Sequence, residues 1–148
     1  IGSQKFNLNK FIAQTFQKKD INASDFNMNQ YKGKYILLDF WGTWCNPCIA
    51  LLPHIAKIHK QYPDLQIVSV AYETDDKGKA KIPEFVKKYE MDWVNICDMN
   101  GDLNSINTLY NISSYPTTIL IAPDGKIIHR GSTDKIQELD EKLKRAFM

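Results

Sequence analysis

The feature that most constrains the fold of this chain is an apolar run, residues 35–41, that leads within four residues into a pair of cysteines. Only Asp39 interrupts the run, and runs of this kind are typical of strands buried on both faces at the centre of α/β sheets. An amphipathic helical pattern begins at Asn46, directly after Cys45. The segment therefore predicts a strand, a turn and a helix that carries Cys45 and Cys48 at its N-terminus.

The spacing of the two cysteines favours redox chemistry. A Cys-x-x-Cys pair between a strand and a helix is typical of a dithiol that cycles with its disulfide, whereas a zinc site needs a second pair or neighbouring histidines. The sequence contains no second pair. The unpaired N–H groups and the dipole of the helix also favour a negative charge on the Cys45 sulfur. The alternatives are a zinc half-site and an inert disulfide.

The rest of the chain predicts alternating strands and helices. Short runs rich in β-branched and aromatic residues predict strands at 65–72, 93–97, 117–122 and 126–130. Apolar residues at helical spacing predict helices at 46–61, in a segment with Pro83 in its first turn, around 103–110 and at 134–147. The first two strands should be parallel because a helix of crossover length separates them. The order is βαβ, an inserted helical section and ββα, an α/β pattern.

Three further segments connect or precede these elements. Residues 73–81 and 25–34 are polar and predict loops. A short helix is predicted after Asn7 by apolar residues at helical spacing, namely Leu8, Phe11, Ile12 and Phe16.

Composition narrows the function classes. With 148 residues, 43% hydrophobic and 24% charged, the chain is suited to one globular domain. The net charge of +2 comes from lysines interspersed with acids, which does not support nucleic-acid binding. No apolar stretch approaches the ~20 residues that cross a bilayer. Because the sequence begins at Ile1, we interpret it as a mature form or part of a longer protein, to which an upstream anchor could belong.

Two motifs together resemble the thioredoxin fold. Trp44-Cys45-Asn46-Pro47-Cys48 follows the first buried strand, and residues 115–117, Tyr-Pro-Thr, precede the last hairpin. The resemblance runs from about residue 31 to the C-terminus. The segment 117–126 is also similar to the extracytoplasmic thiol-disulfide oxidoreductases of the TlpA and ResA kind.

This resemblance implies a single thioredoxin-like domain over residues 1–148. Its core, at 31–148, would be a central mixed β-sheet flanked by helices, with an inserted helical section between the βαβ and ββα halves. Residues 1–30 would be an N-terminal extension.

The resemblance also implies roles for Cys45, Cys48 and Asp39. Cys45 would attack a disulfide of a partner protein, and Cys48 would then resolve the mixed disulfide. Asp39 would lie behind Cys48 and take up its proton. A carboxylate in an apolar strand is costly unless it is paired or protonated, so burial should raise the pKa of Asp39. The alternative is that the strand end is exposed and Asp39 is simply solvated.

Four more residues complete the expected site. Tyr115 and Pro116 would be joined by a cis peptide bond and would face the dithiol, whereas the alternative is an ordinary proline at a strand entry. Trp44 is expected on the surface where a partner docks, and Trp41 in the core. Thioredoxins place a lysine near the buried aspartate, but this sequence has an acid there, so Glu73 is a candidate second member of the proton relay.

These residues and the resemblance predict protein-disulfide oxidoreduction, in which the protein acts as the reductant. Expected partners are disulfide-containing proteins and an upstream thiol reductant, in an extracytoplasmic location such as the bacterial periplasm. No cofactor or metal is expected. The alternatives are a peroxidase of the peroxiredoxin type, and metal delivery in a copper or haem pathway. The leftover Cys97 is interpreted as a buried structural thiol, with a resolving or regulatory role as the alternative.

Overall fold

The computed structural model describes residues 11–148, and strands and helices alternate through most of it. The strands are β1 (Gln17–Lys19), β2 (Asp25–Asn27), β3 (Ile36–Trp41), β4 (Gln66–Glu73), β5 (Val94–Met99), β6 (Thr117–Ile121) and β7 (Ile127–Gly131). The α-helices are α1 (Asn46–Gln61), α2 (Asp76–Lys88), α3 (Ile106–Leu109) and α4 (Ile136–Ala146). Short 3-10 helices lie at Met28–Tyr31 and Thr133–Lys135.

A five-stranded mixed sheet in the order β5-β4-β3-β6-β7 forms the centre of the fold. The strands β3, β4 and β5 are parallel to one another, whereas β6 is antiparallel to β3 and β7 is antiparallel to β6. The central strand β3 is buried along its whole length. This is the α/β arrangement that the apolar run predicts, since a strand covered on both faces has no polar side.

The side chains of β3 alternate between two cores. Leu38 and Phe40 pack on one face of the sheet. Leu37 and Trp41 point to the other face, where Leu37 packs in a cluster with Ile55 of α1 and Trp41 packs beside Cys48. Burying an aliphatic or aromatic side chain stabilises a fold by roughly 1.5–3 kcal/mol, so these positions fix the register of the strand. Asp39 lies between Leu37 and Trp41 and therefore on the face that α1 covers.

Helix α1 begins where the sequence predicts and carries the cysteine pair into the core. Cys45 is its N-cap, and its sulfur accepts a hydrogen bond from the backbone N–H of Cys48. Pro47 lies in the first turn, where a missing N–H costs nothing. The buried face of the helix consists of Cys48, Leu51, Leu52, Ile55 and Ile58.

The prediction for residues 73–88 was wrong in two respects. Helix α2 begins at Asp76 and not after a long polar loop, and Pro83 lies inside this helix and not in its first turn. The start is set by Asp75, whose side chain accepts a hydrogen bond from the backbone N–H of Gly78. The first turns of α2 resemble a loop in sequence because they contain no buried apolar residue before Ile82.

The inserted section contains a full strand as well as helices. The predicted short extended segment is the six-residue strand β5, which pairs in parallel with β4, and the predicted helix around 103–110 is reduced to α3. Asp98 and Asn107 within this section are both buried and polar.

The N-terminal helix that the sequence predicts after Asn7 lies partly outside the described residues. From Phe11 to Phe16 the chain is not α-helical, and Ile12 instead forms an isolated bridge with Lys126. The predicted loop at 25–34 contains β2, paired antiparallel with β1, and a 3-10 helix. These elements form because Phe26 and Met28 reach the core cluster that also holds Phe40.

The connection after β1 lies along the outer strand of the sheet. The backbone N–H of Ile21 donates a hydrogen bond to the carbonyl of Asn95 in β5 (2.9 Å). Within residues 11–148, no helix is both long and apolar enough to cross a membrane.

Candidate active site

Cys45 and Cys48 form a disulfide at the start of α1. Their sulfur atoms are 2.20 Å apart and their Cα atoms 5.3 Å apart. The N–H of Cys48 points at the sulfur of Cys45 (3.3 Å), so an N–H group of the first helical turn already faces the atom expected to carry negative charge. Cys45 is 5% exposed and Cys48 1%, which makes Cys45 the more accessible of the two.

The loop before the disulfide is held by Trp44. Its indole N–H donates to the carbonyl oxygen of Tyr72 (2.8 Å), at the end of β4. The indole also lies directly over Gly42, where an added Cβ would come within 2.4 Å of the ring nitrogen. Any larger residue at position 42 would displace the indole, so Gly42 sets the position of Trp44.

Three aromatic side chains form a cluster next to the disulfide, which we call the aromatic patch: Trp44, Tyr72 and Tyr115. Trp44 meets Tyr115 edge to face with ring centroids 5.3 Å apart, and Tyr115 stacks on Tyr72 at 5.7 Å. Trp44 remains 52% exposed, whereas Trp41 is buried in the core. The peptide bond between Tyr115 and Pro116 is cis. The residues expected to dock a partner therefore include one large exposed indole.

Asp39 is a buried carboxyl. It is 1% exposed, which rules out the alternative of a solvated strand end. The hydroxyl of Ser69, its register partner on β4, donates a hydrogen bond to Asp39 Oδ2 (3.0 Å). Burial raises the pKa of Asp39 to about 7 and outweighs the opposite influence of this hydrogen bond. The group can therefore gain or lose a proton near neutral pH.

Glu73 lies at the end of β4 and is also buried. Its carboxylate accepts hydrogen bonds from the N–H (2.8 Å) and the hydroxyl (2.7 Å) of Thr43, two residues before Cys45. Gly78 of α2 packs against the same carboxylate, with no room for a side chain. The contacts of Glu73 are thus with the loop that carries the disulfide. Thr43 gave no signal in the sequence, because its partner is 30 residues away.

Sequence reasoning also missed a polar network behind Tyr115. The Tyr115 hydroxyl donates a hydrogen bond to the side-chain oxygen of Asn107. The side-chain amide and the backbone N–H of Asn107 both donate hydrogen bonds to the carboxylate of Asp98. Lys18 of β1 adds an ion pair to Asp98 (2.8 Å). Burial opposes ionisation of Asp98, but the hydrogen bonds from Lys18 and Asn107 outweigh it and lower its pKa. β5 carries a second polar residue, Asn95, so Asp98 does not stand out in the sequence as Asp39 does.

Cys97 lies apart from the disulfide in sequence and chemistry. The sequence predicts a buried thiol, but Cys97 is only partly buried on β5, and this partial burial raises the pKa of its thiol to about 11. At neutral pH this thiol is protonated and therefore a weak nucleophile. Of the histidines, His54 pairs with Asp140 of α4 (2.8 Å) and His129 is buried in β7.

Comparison with known proteins agrees with this geometry. The profile of the AhpC/TSA family matches residues 10–130. The chain is 34% identical over 134 residues to the thioredoxin-like protein YneN of Bacillus subtilis, covering 88% of this chain and 76% of YneN. It is 31% identical over 134 residues to the thiol-disulfide oxidoreductase ResA of Bacillus thuringiensis, covering 90% and 75% of the two chains.

Solved structures confirm the predicted thioredoxin fold. A thiol:disulfide interchange protein of Chlorobium tepidum aligns with a TM-score of 0.76 at 19% identity, covering 93% of this chain and 97% of the other. A secreted disulfide oxidoreductase of Mycobacterium tuberculosis aligns with a TM-score of 0.72 at 23% identity, covering 88% and 95%. The chain belongs to the AhpC/TSA family, and its Cys45–Cys48 pair makes it a thioredoxin-like member of the thiol-disulfide oxidoreductase kind.

Proposed function

We propose that this protein reduces disulfide bonds of other proteins by cycling its Cys45–Cys48 pair between dithiol and disulfide. The observation that carries the proposal is the disulfide itself, placed at the N-terminus of α1 with an N–H group directed at the Cys45 sulfur. The relatives named thiol-disulfide oxidoreductase support it.

The reaction transfers two electrons to the partner. The Cys45 thiolate attacks one sulfur of the partner's disulfide, and the other sulfur leaves as a thiolate that takes up a proton from water. Cys48 then gives its proton to Asp39 and attacks the Cys45 sulfur. The partner's first sulfur leaves as a thiolate, is protonated in turn, and the Cys45–Cys48 disulfide remains. A thiol reductant outside this chain must restore the dithiol.

Asp39 is suited to the second step. A general base works best when its pKa lies near the working pH, and burial brings the pKa of Asp39 to about 7. Its position on the sheet face under α1 supports a role behind Cys48. For Glu73, a share in the proton relay stays a prediction, whereas its hydrogen bonds to Thr43 support a role in positioning the loop.

Partner docking is proposed for Trp44, Tyr115 and Pro116. The exposed indole of Trp44 and its edge-to-face contact with Tyr115 support this, because flat aromatic surfaces bind polypeptide segments with little loss of side-chain entropy. We further propose an extracytoplasmic location, which the secreted Mycobacterium tuberculosis homologue in fold supports.

Insulin reduction by dithiothreitol tests the activity. We expect the wild-type protein to accelerate precipitation of the insulin B chain, and the Cys45→Ser variant to give only the uncatalysed rate. The Cys48→Ala variant should accumulate a mixed disulfide on Cys45, visible by mass spectrometry. A wild-type rate no higher than that of Cys45→Ser would refute the proposal.

Peroxide reduction is a second candidate, because peroxidases of the peroxiredoxin type share this fold and the chain matches the profile of the AhpC/TSA family. The same preparations would be tested for consumption of hydrogen peroxide in the presence of dithiothreitol. Consumption by the wild type, lost in Cys45→Ser, without insulin reduction would favour this second function.

A further inference from the structure

A chain of hydrogen bonds leads from Asp39 through β4 to the side chain of Trp93. Ser69 Oγ donates to Asp39 Oδ2 (3.0 Å), and the indole Nε1–H of Trp93 donates to Ser69 Oγ (2.9 Å). Trp93 immediately precedes β5, so this series of hydrogen bonds runs from the central strand β3 to the edge of the sheet.

The indole of Trp93 fixes which group donates and which accepts in each of these hydrogen bonds. An indole N–H can only donate, so the Ser69 oxygen must accept from Trp93. The single hydroxyl hydrogen of Ser69 is then left to donate to Asp39. Hydrogen bonds in series also polarise one another, which makes Ser69 a stronger donor while Trp93 is in place.

Trp93 is held in this position from two sides. The side-chain amide of Asn95 donates to the backbone carbonyls of Trp93 (2.8 Å) and Met91 (3.0 Å). The imidazole of His59 on α1 packs against the indole, with ring centroids 5.3 Å apart. Asn95 is also the register partner of Ser69, so Asp39, Ser69 and Asn95 lie side by side on three neighbouring strands.

Among residues 11–148, no charged neighbour offers another explanation for the raised pKa of Asp39. Burial and the Ser69 hydrogen bond are the two influences on its pKa. The flanking strands place Ser69 and Thr118 opposite it, and neither side chain titrates. Of the titratable groups on α1, Cys48 is bonded to Cys45, and His59 packs against Trp93.

Other titratable groups on this side of the sheet interact with groups other than Asp39. His129 is buried on β7, where burial lowers its pKa and the charges that act on it are those of Lys142, Glu138 and Lys135. His54 of α1 lies against Asp140 of α4, and Lys142 of α4 against Glu138.

We propose that Trp93 and Ser69 are positioning residues for Asp39: Trp93 directs the Ser69 hydroxyl onto the carboxyl and so favours the ionised form that accepts the Cys48 proton. The catalytic importance of this effect rests on the proposed function of Asp39. The hydrogen-bond chain itself is tested by titration, without any substrate.

The test measures the pKa of Asp39 from its side-chain carboxyl carbon by NMR in the oxidised protein, in which Cys45 and Cys48 do not titrate. Ser69→Ala should raise the pKa of Asp39 by about one to two pH units, because the ionised carboxylate loses the hydrogen bond from Ser69. Ser69→Thr keeps the hydroxyl and should keep the wild-type pKa.

Trp93→Phe keeps an aromatic ring but removes the donor. It should raise the pKa of Asp39 by less than Ser69→Ala does, and it should cause no further change in a Ser69→Ala background. Equal effects of Trp93→Phe in both backgrounds would overturn the inference, because Trp93 would then not act through Ser69. An unchanged pKa in Trp93→Phe or in Ser69→Ala would overturn it as well.

A wild-type measurement covers the case in which Trp93→Phe does not fold. The indole N–H resonance of Trp93 should shift with pH at the midpoint of the Asp39 titration, and this shift should vanish in Ser69→Ala. His59→Asn removes the imidazole beside the indole, so a shift that disappears in this variant would come from His59 and would overturn the inference.

The titration of Asp39 and the insulin assay can fail independently of each other. Failure of insulin reduction in the wild type would refute the oxidoreductase proposal and leave the titration results standing. Conversely, an Asp39 pKa insensitive to Ser69 and Trp93 would refute this inference while the insulin assay still reported activity.

Discussion

Three buried carboxylates among the described residues accept very different numbers of hydrogen bonds. Asp39 accepts one from Ser69, and Glu73 accepts two from Thr43. Asp98 accepts four, from Lys18, Ser105 and both N–H groups of Asn107. Ionised carboxylates need such donors, so Asp98 stays charged while Asp39 has a pKa near neutral. The same residue type therefore serves as a structural anion in one strand and as a candidate base in another.

The raised pKa of Asp39 predicts a specific dependence of stability on pH. The unfolded chain ionises this carboxyl near pH 4, whereas the folded protein keeps it protonated until about pH 7. Between these values the unfolded state binds fewer protons, so this group makes stability fall as pH rises and adds no further change above about pH 7. Asp39→Asn removes the effect, and relative to wild type it should gain roughly 2–3 kcal/mol between pH 5 and pH 8.

Urea unfolding of the oxidised wild type and of Asp39→Asn at both pH values measures this gain. Asp140→Asn, at the partly exposed partner of His54, serves as a control for loss of a carboxylate outside the sheet. A difference between wild type and Asp39→Asn that is the same at pH 5 and pH 8 would contradict the expectation.

For individual residues, the sequence predicts the roles that depend on neighbours along the chain. The dithiol is recognisable from Cys45 and Cys48, and Asp39 from its place in an apolar run. The parts played by Thr43, Asn107 and Trp93 depend on partners in other elements, which only the packing of those elements brings together.

Among the elements, α2 shows why local signals can mislead. Pro83 is a good first-turn residue, and six polar or small residues precede Ile82, so a late helix start fits the local pattern. In the structure the cap at Asp75 starts the helix earlier, and the early start brings Gly78 against Glu73. The central strand and α1 were predicted nearly to the residue because burial on β3 and the Cys45 cap leave little choice of boundary.

Gly78→Ala should lower stability although alanine is the better helix former by about 1 kcal/mol. An added Cβ would come within 2.3 Å of the Glu73 carboxylate, which would have to give up hydrogen bonds to Thr43. We expect a loss of about 1–2 kcal/mol, together with slower insulin reduction because the loop carrying Cys45 loses its anchor.

Urea unfolding and the insulin assay check the two parts of this expectation. Lys79→Ala, exposed on the same helix, is the matched control and should change neither by much. Gly78→Ala with stability equal to or above wild type would show that the Glu73–Thr43 contact does not need the space beside Gly78.

For the whole molecule, we propose that the chain forms one domain, with the β1–β2 hairpin as an extension of the thioredoxin core. Phe26 and Met28 support this because they pack in the same cluster as Phe40 of the central strand. Lys18 adds a charged link, since its ion pair with Asp98 connects the hairpin to the network behind Tyr115. None of these long-range contacts has a signature in the sequence.

Replacing Lys18 by Met should therefore destabilise the protein. The Asp98 side chain is fully buried, and removal of its cation leaves a buried charge with too little compensation. We expect a loss of about 2–4 kcal/mol in urea unfolding. Lys19→Met is the matched control, because Lys19 pairs with Asp25 on the surface and such pairs contribute about 0–1 kcal/mol. Equal losses in the two variants would disprove the anchoring role of Lys18.

The hydrogen bond from Ile21 to Asn95 has a consequence for how copies of this protein meet in solution. An outer strand with free N–H and carbonyl groups is a template on which another chain can add a strand, the first step of edge-to-edge aggregation. Here the chain's own N-terminal segment occupies part of the β5 edge. We therefore expect the segment at Ile21 to hinder strand addition by another chain at this part of the β5 edge.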